Sequence, residues 1–374
     1  MSNNVASKGA PAFPPSQAEG ERAGHGGGVT GAHGWIVLDK PLGMSSAQAV
    51  AMVQRLARAS GWGRVKAGHG GTLDPLATGV LPIALGEATK LCGRMLDAEK
   101  AYDFTIAFGA ATATDDAEGE VVGTSTVRPT LEQLHAVLPS FTGPIRQRPP
   151  AYSALKVGGE RAYALARAGE AVELAERAVT VHDLRIVPGT GRGPGGEADG
   201  GEGAQRSGAS TVIGAFAAAS RPHPLHRPAA GPTSRSGQEL CEVTLSARVS
   251  KGTYIRSLAR DIARAVGTEG HVTMLRRARA GPFAEARAIT VDKLAALCDG
   301  GMLGEAVLPL TAGLDGIPAL AVTGDEAMAL RQGRALGPRP GSHGLCVACL
   351  SGVPVALVVA DGGGIRVERG FNLP

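Results

Sequence analysis

Aromatic residues are scarce in this chain: they make up 3% of 374 residues, with two Trp, four Tyr and seven Phe, so each ring is informative. Cysteine is scarcer still. The five thiols at 92, 241, 298, 346 and 349 are odd in number and widely spread, which suits a reducing compartment better than a disulfide framework. Cys346 and Cys349 have the spacing of half a zinc site, but no second pair exists and only His343 lies near. A zinc site needs four ligands, so these residues read as buried thiols and no metal is expected. No run approaches the ~20 apolar residues that span a bilayer. Residues 1–28 lack the apolar stretch of a signal peptide. No charge of one sign dominates either: 38 basic and 34 acidic residues leave a formal +4, too little to establish nucleic-acid binding by itself. Two local basic clusters remain, Arg55, Arg58, Arg64 and Lys66, and Arg276, Arg277 and Arg279.

Hydrophobic residues make up 43% of the chain, enough for a substantial core, and the length allows two domains. Periodicity then sorts the segments. Cys241, Val243, Leu245, Ala247 and Val249 alternate with polar residues, as do Tyr102, Phe104, Ile106 and Phe108, the pattern of half-buried strands. Ile255, Leu258, Ala259, Ile262, Ala263 and Val266 recur at helical spacing, with Gly267 as the stop. Residues 47–58 read as a helix with Val50, Val53 and Leu56 inward and Ser45 or Ser46 as N-cap. After residue 314, short apolar runs between Gly and Pro (319–322, 345–350, 353–359 and 365–367) indicate a small β-rich domain. Strands and helices mix without a βαβ rhythm, so the fold class is α+β on a largely antiparallel sheet with flanking helices. Residues 1–32 and 189–237 are rich in Gly, Pro, Ser and Ala and read as a disordered extension and a disordered insertion.

The most informative stretch is Gly68-His-Gly-Gly-Thr-Leu-Asp-Pro-Leu-Ala-Thr-Gly-Val-Leu-Pro82. Asp74 is the only carboxylate between Asp39 and Glu87. Pro75 biases it towards extended or turn geometry, and the glycines remove side chains where something bulky must come close. Asp-Pro and Gly-Gly are also ordinary turn punctuation. The glycine spacing matches neither a dinucleotide loop nor a phosphate-binding P-loop.

Taken whole, this stretch resembles the catalytic signature of the TruB family, bacterial tRNA pseudouridine-55 synthases. The likeness recurs in order along the chain: Gly34-Trp-Ile-Val-Leu-Asp-Lys-Pro-Leu-Gly-Met-Ser-Ser46, Gly86-Glu-Ala-Thr-Lys90, Lys100-Ala-Tyr102, Arg148-Pro-Pro-Ala-Tyr-Ser-Ala-Leu-Lys156, Ser250-Lys-Gly-Thr-Tyr-Ile-Arg-Ser-Leu258 and His271-Val-Thr-Met-Leu-Arg-Arg277. One departure is Gly70-Gly71-Thr72, where Thr-Gly-Ala is common. The resemblance implies the pseudouridine synthase fold over 33–314 and a PUA-like RNA-binding domain over 315–374. It implies a cytoplasmic enzyme that isomerises a uridine in the T-arm loop of tRNA without metal, nucleotide or redox cofactor, and without a membrane or an obligate protein partner, as a monomer. Asp74 would be the catalytic carboxylate. Tyr102 would stack on the flipped base, Tyr254 and Leu275 would line the pocket, and Arg256 would pair with the acid. His69 would position the RNA, and Lys90 would contact the cleft or the RNA backbone.

Two other readings stay open at this point. A non-catalytic RNA-binding protein would keep the cleft without needing Asp74. A glycoside- or base-cleaving hydrolase would call for a second poised carboxylate, and neither Asp39 nor Glu87 sits in a comparable loop.

Overall fold

The computed structural model describes residues 33–153, 155–157, 159–168, 174–193 and 237–373. The extension expected over 1–32 and nearly all of the insertion expected over 189–237 lie outside these residues.

In chain order, strand β1 (Gly34–Lys40) leads to helix α1 (Ser46–Ala59), then β2 (Ala67–His69), β3 (Ala77–Leu85) and α2 (Cys92–Asp97). Next come β4 (Lys100–Phe108), the hairpin β5 (Ala110–Thr112) and β6 (Val121–Thr124), α3 (Leu131–Val137) and β7 (Gly143–Gln147). A short hairpin, β8 (Lys156–Val157) and β9 (Glu160–Arg161), precedes α4 (Ala162–Arg167), β10 (Arg177–Ile186) and β11 (Glu242–Val249). The chain continues through α5 (Ile255–Ala265), β12 (Gly270–Ala280), β13 (Phe283–Ala284), α6 (Val291–Asp299) and β14 (Leu308–Pro309). It closes with β15 (Ala319–Ala321), α7 (Gly324–Arg331), β16 (Gly344–Leu350), β17 (Val353–Asp361) and β18 (Gly364–Gly370).

These elements fall into two compact units. The first takes the described residues up to Pro75, Gly79–Asp97 and everything from Arg279; the second takes Leu76–Thr78 and Ala98–Ala278. In the first unit β1 is the central strand. It pairs antiparallel with β14 and along its whole length with β3, from Gly34 opposite Leu85 to Lys40 opposite Gly79. Its apolar run Trp35–Leu38 is buried on both faces, so it shows no alternation. Helix α1 begins with a capping box made by Ser45 and Gln48, which settles the choice between the two serines. Its buried face is Ala49, Met52, Val53 and Ala57, rotated from the expected one; Val50 and Leu56 are only half-buried.

The four expected C-terminal strands are present. β15 pairs parallel with β16, and β16, β17 and β18 run antiparallel. One face of this sheet covers Leu320, Val322, Ala327, Leu330, Val355 and Ile365. The other contributes Val347, Cys349 and Leu357 to a cluster with Trp35, Val37, Leu310 and Phe371. The Trp35 indole is fixed there by a 3.2 Å bond to the Leu310 carbonyl and a tilted contact with Phe283, centroids 5.1 Å apart. The C-terminal sheet therefore shares a hydrophobic core with the first strand of the chain.

In the second unit β7, β10, β11 and β4 form an antiparallel series. Val243, Leu245, Ala247 and Val249 of β11 and Phe104, Ile106 and Phe108 of β4 are buried, as their alternation predicts. Helix α5 packs against β4 and ends where expected, with Gly267 at φ +79, a conformation that glycine adopts at little cost. It is more deeply buried than its spacing suggests, because Arg256 and Ser257 are also inside.

Candidate active site

Asp74 stands near the tip of a β2–β3 hairpin. β2 runs antiparallel to β3, Gly68 opposite Ala84 and His69 opposite Ile83, and the Gly70 N–H donates to the Pro82 carbonyl at 2.8 Å. His69 thus closes β2, and the turn at Pro75-Leu76 feeds straight into β3. Asp74 itself is half-buried. The glycine at 70 admits a close neighbour, as expected, but that neighbour is part of the protein: an added Cβ would lie 2.7 Å from the Met95 Cβ on α2.

The segment from β1 to α1 grips this loop on either side of the acid. Lys40 is fully buried, and its ammonium donates to the carbonyls of Met44 at 2.7 Å, Pro41 at 3.0 Å and Pro75 at 3.3 Å. The Gly43 N–H reaches the same Pro75 oxygen at 2.9 Å. Ser46 Oγ accepts from the Leu73 N–H at 2.8 Å and donates to the Leu73 carbonyl at 3.0 Å. Residues 73 and 75, the immediate neighbours of Asp74, are therefore both tied down. The Lys-Pro motif and the Asp motif are two halves of one device, and sequence reasoning had missed the tasks of Lys40 and Ser46.

The second unit carries Tyr102, Tyr254, Arg256 and Leu275. Tyr102 is half-buried on β4 opposite Ala247, so it is not simply a core residue. Leu275 is buried on β12, and Thr78 Oγ1 donates to its carbonyl at 3.5 Å. Tyr254 is the N-cap residue of α5, and Arg256 lies in the first turn. The Arg256 guanidinium donates to the carbonyls of Thr114 at 2.8 Å and Tyr152 at 3.0 Å and pairs with the Asp116 carboxylate at 3.1 Å. Asp116 is as deeply buried and also accepts from the Glu118 N–H at 3.1 Å. A charge-assisted pair with extra hydrogen bonds fixes the plane of a guanidinium that a lone lysine-like contact would leave free. Asp116 was missed because its only trace in the sequence is an ordinary acidic turn.

Next to it, Asp115 adopts φ +59 and pairs with Arg260 at 2.8 Å, and Arg260 also donates to Asp261 at 2.9 Å and to the Arg148 carbonyl at 3.0 Å. Burial pushes the Asp115 carboxyl above its ordinary value, although the guanidinium groups of Arg260 and Arg256 act against the shift.

Lys90 has partners within the chain. Its ammonium pairs with Glu87 at 2.6 Å and donates to the Gly370 carbonyl at 2.8 Å, while Glu87 accepts from the Asn372 N–H at 2.7 Å. The pair fastens the C-terminal segment to the turn after β3. Burial acts to raise the Glu87 carboxyl, but the bonds from Lys90 and Asn372 together hold it below its ordinary value. The basic clusters also separate. Arg55, Arg58, Arg64 and Lys66 are exposed, whereas Arg277 is buried.

Cys346 and Cys349 point to opposite faces of β16: Cys346 packs with Leu320 and Val355, Cys349 with Trp35 and Leu357. They cannot ligate one ion together. Burial raises both thiols, Cys349 to about 11. Among the described residues no group of three or more His, Cys, Asp or Glu could hold a metal, and no helix is long and apolar enough to cross a membrane.

Comparison with known proteins decides the family. The model of the TruB family pseudouridylate synthase N-terminal domain matches residues 58–192, and that of the tRNA pseudouridylate synthase B C-terminal domain matches 256–315. The tRNA pseudouridine synthase B of Novosphingobium aromaticivorans is 53% identical over 340 residues, spanning 91% of this chain and 97% of the relative. This chain belongs to the TruB family. A second TruB relative, tRNA pseudouridine synthase B of Zymomonas mobilis, is 46% identical over 91% of this chain and 96% of its own. Solved structures carry the same fold. A chain of a Cbf5-Nop10-Gar1 complex superposes with a TM-score of 0.60 at 25% identity, covering 91% of this chain and 85% of that one. A chain of an H/ACA RNP bound to a substrate RNA containing 2′-deoxyuridine gives 0.60 at 22% identity, covering 91% and 86%. The fold is that of the pseudouridine synthases, as the TruB motifs imply.

Proposed function

We propose that this chain isomerises a uridine of tRNA to pseudouridine, at position 55 in the T-arm loop, with Asp74 as the reacting carboxylate. The observation that carries the reading is the double anchoring of Leu73 and Pro75, which presents one half-buried acid on an otherwise small-residue loop. Membership of the TruB family supplies the reaction. The N1–C1′ bond breaks, the uracil turns, C5 bonds to C1′, the C5 proton is lost and N1 takes up a proton, so the product is an isomer of the substrate. A single carboxylate suffices for this, by attack at C6 or at C1′ or by removal of a proton on a glycal route.

A base within a folded RNA arm must first be flipped out, and a pyrimidine then needs a flat partner and an apolar wall. Tyr102, partly exposed on its strand, serves as the stacking surface, a contribution of about 1–3 kcal/mol. Tyr254 and Leu275 line the pocket, and His69 fills the end of β2 beside the acid loop and positions the RNA. Arg256 is held in plane by Asp116. Residues 33–314 form the catalytic domain and 315–374 a PUA-like RNA-binding domain. The protein acts as a monomer in the cytoplasm.

The test uses unmodified tRNA carrying tritium at C5 of uridine, with the wild type and Asp74→Asn. Release by the wild type alone, mapped to the T loop, is expected. Tight tRNA binding without release would make this a binding protein, and free uracil would make it a hydrolase.

A further inference from the structure

We infer that Gln147 and Arg177 act together as a positioning pair for Tyr254. The inference rests on the pocket role proposed for that tyrosine. The two residues stand directly opposite each other on β7 and β10. Gln147 is buried, and its amide holds the backbone of Tyr254 from both sides: Nε2 donates to the Tyr254 carbonyl at 3.0 Å, and the Tyr254 N–H donates to Oε1 at 2.8 Å. Arg177 takes the ring. Its Cζ lies over the Tyr254 ring, 4.8 Å from the centroid, and its Nη2 donates to the Gly252 carbonyl.

The helix shows why such help is needed. α1 and α3 each close their own N-terminus, with Gln48 and Gln133 at the third helical position reaching back to the N-cap N–H. In α5 that position is Ser257, whose buried hydroxyl has no hydrogen-bond partner, and Tyr254 makes no capping bond with its own side chain. Gln147 therefore supplies from a neighbouring strand the bond that Gln48 and Gln133 supply from within. Because the capped residue is Tyr254, one amide sets both the path of the chain into Arg256 and the root of the tyrosine ring. Arg177 then occupies one face of that ring. Neither residue needs to touch the base; both act through Tyr254.

The chain has four tyrosines, so labelling with 3-fluorotyrosine gives four ¹⁹F resonances, and Tyr254→Phe identifies the one of interest. Arg177→Met and Gln147→Leu are expected to shift that line and leave those of Tyr102 and Tyr163 in place. In turnover assays each should lower kcat about tenfold or more with KM for tRNA within about twofold, the pattern of a misplaced reacting geometry. Arg177→Lys keeps the charge but not the planar stack, and should recover only part of the loss. In a Tyr254→Ala background, Arg177→Met should cost nothing further.

Independent, multiplicative losses in that background would overturn the pairing. So would an unmoved Tyr254 resonance, or a raised KM with kcat intact, which would make Arg177 a direct RNA contact. Should Tyr254→Ala fail to fold, the fluorine shift in the otherwise wild-type chain decides. If Tyr254→Ala keeps full kcat while Asp74→Asn is dead, the positioning pair falls and the isomerase stands.

Discussion

Ser45 and Ser46 are adjacent and chemically identical, yet the structure gives them different work, and alanine at each should separate the two tasks. Ser45 Oγ accepts from the Gln48 N–H and caps α1. Its loss should cost about 1 kcal/mol, the usual value of a cap, and leave the chemistry alone. Ser46 Oγ makes two bonds to Leu73, whose side chain is buried. Replacing Ser46 removes both and leaves the Leu73 N–H and carbonyl unpaired next to the acid. A net hydrogen bond contributes about 1 kcal/mol and a buried group left unpaired costs about 1–3, so Ser46→Ala should cost about 2–4 kcal/mol. At roughly 2–4 °C per kcal/mol, Tm should fall by about 4–16 °C. Because Asp74 follows Leu73 directly, kcat should also fall, by about tenfold or more, as a reacting group drifts from its place. Differential scanning calorimetry and single-turnover tritium release measure the two effects. A Ser46→Ala enzyme that keeps wild-type kcat, or is no less stable than Ser45→Ala, would refute the anchoring of the Asp74 loop.

The Glu87–Lys90 pair gives a pH-dependent prediction. Glu87 is held below the ordinary glutamate value of 4.5 in the folded chain, so it binds fewer protons there than when unfolded. Its stabilisation is present above that unfolded value and is lost as pH falls through the lower folded one. Glu87→Gln should therefore have a lower Tm than wild type near neutral pH, with the two curves converging well below pH 4.5; a constant gap would be contrary evidence. At Gly70, an alanine Cβ would meet Met95 at 2.7 Å, and such overpacking costs about 1–3 kcal/mol. Met95→Gly in the same chain, which removes that Cβ, should recover part of that loss in urea unfolding; strict additivity of the two changes would count against the contact.

Much of this was legible in the sequence where signals are local or periodic. The alternation of β4 and β11, the apolar stripe of α5 with its glycine stop, and the four short C-terminal strands all appear near their expected positions. The acid motif identified the loop because its residue order is itself distinctive. What could not be read is what distant residues do to one another. Ser46, Gln147 and Asp116 look like a helix-start serine, a strand glutamine and a turn acid. Their roles exist only once Leu73, Tyr254 and Arg256 lie beside them. Lys90 looks like a cation at the edge of a cleft until the Gly370 carbonyl arrives from the other end of the chain. The inward face of α1 is rotated from the expected one: Ala49, Met52, Val53 and Ala57 are buried, while Val50 and Leu56 are half-buried.

The core joining Trp35 to Val347, Leu357 and Phe371 has a consequence for how the protein is made. The second unit is almost one stretch of chain, Ala98–Ala278, whereas the first is assembled from segments at both ends. Its central strand emerges first, but the residues that cover Trp35 emerge last, roughly 20–70 s later at about 5–20 residues per second. During that interval the apolar run Trp35–Leu38 lacks much of its final packing, so the earliest-made strand is the one most in need of protection during synthesis.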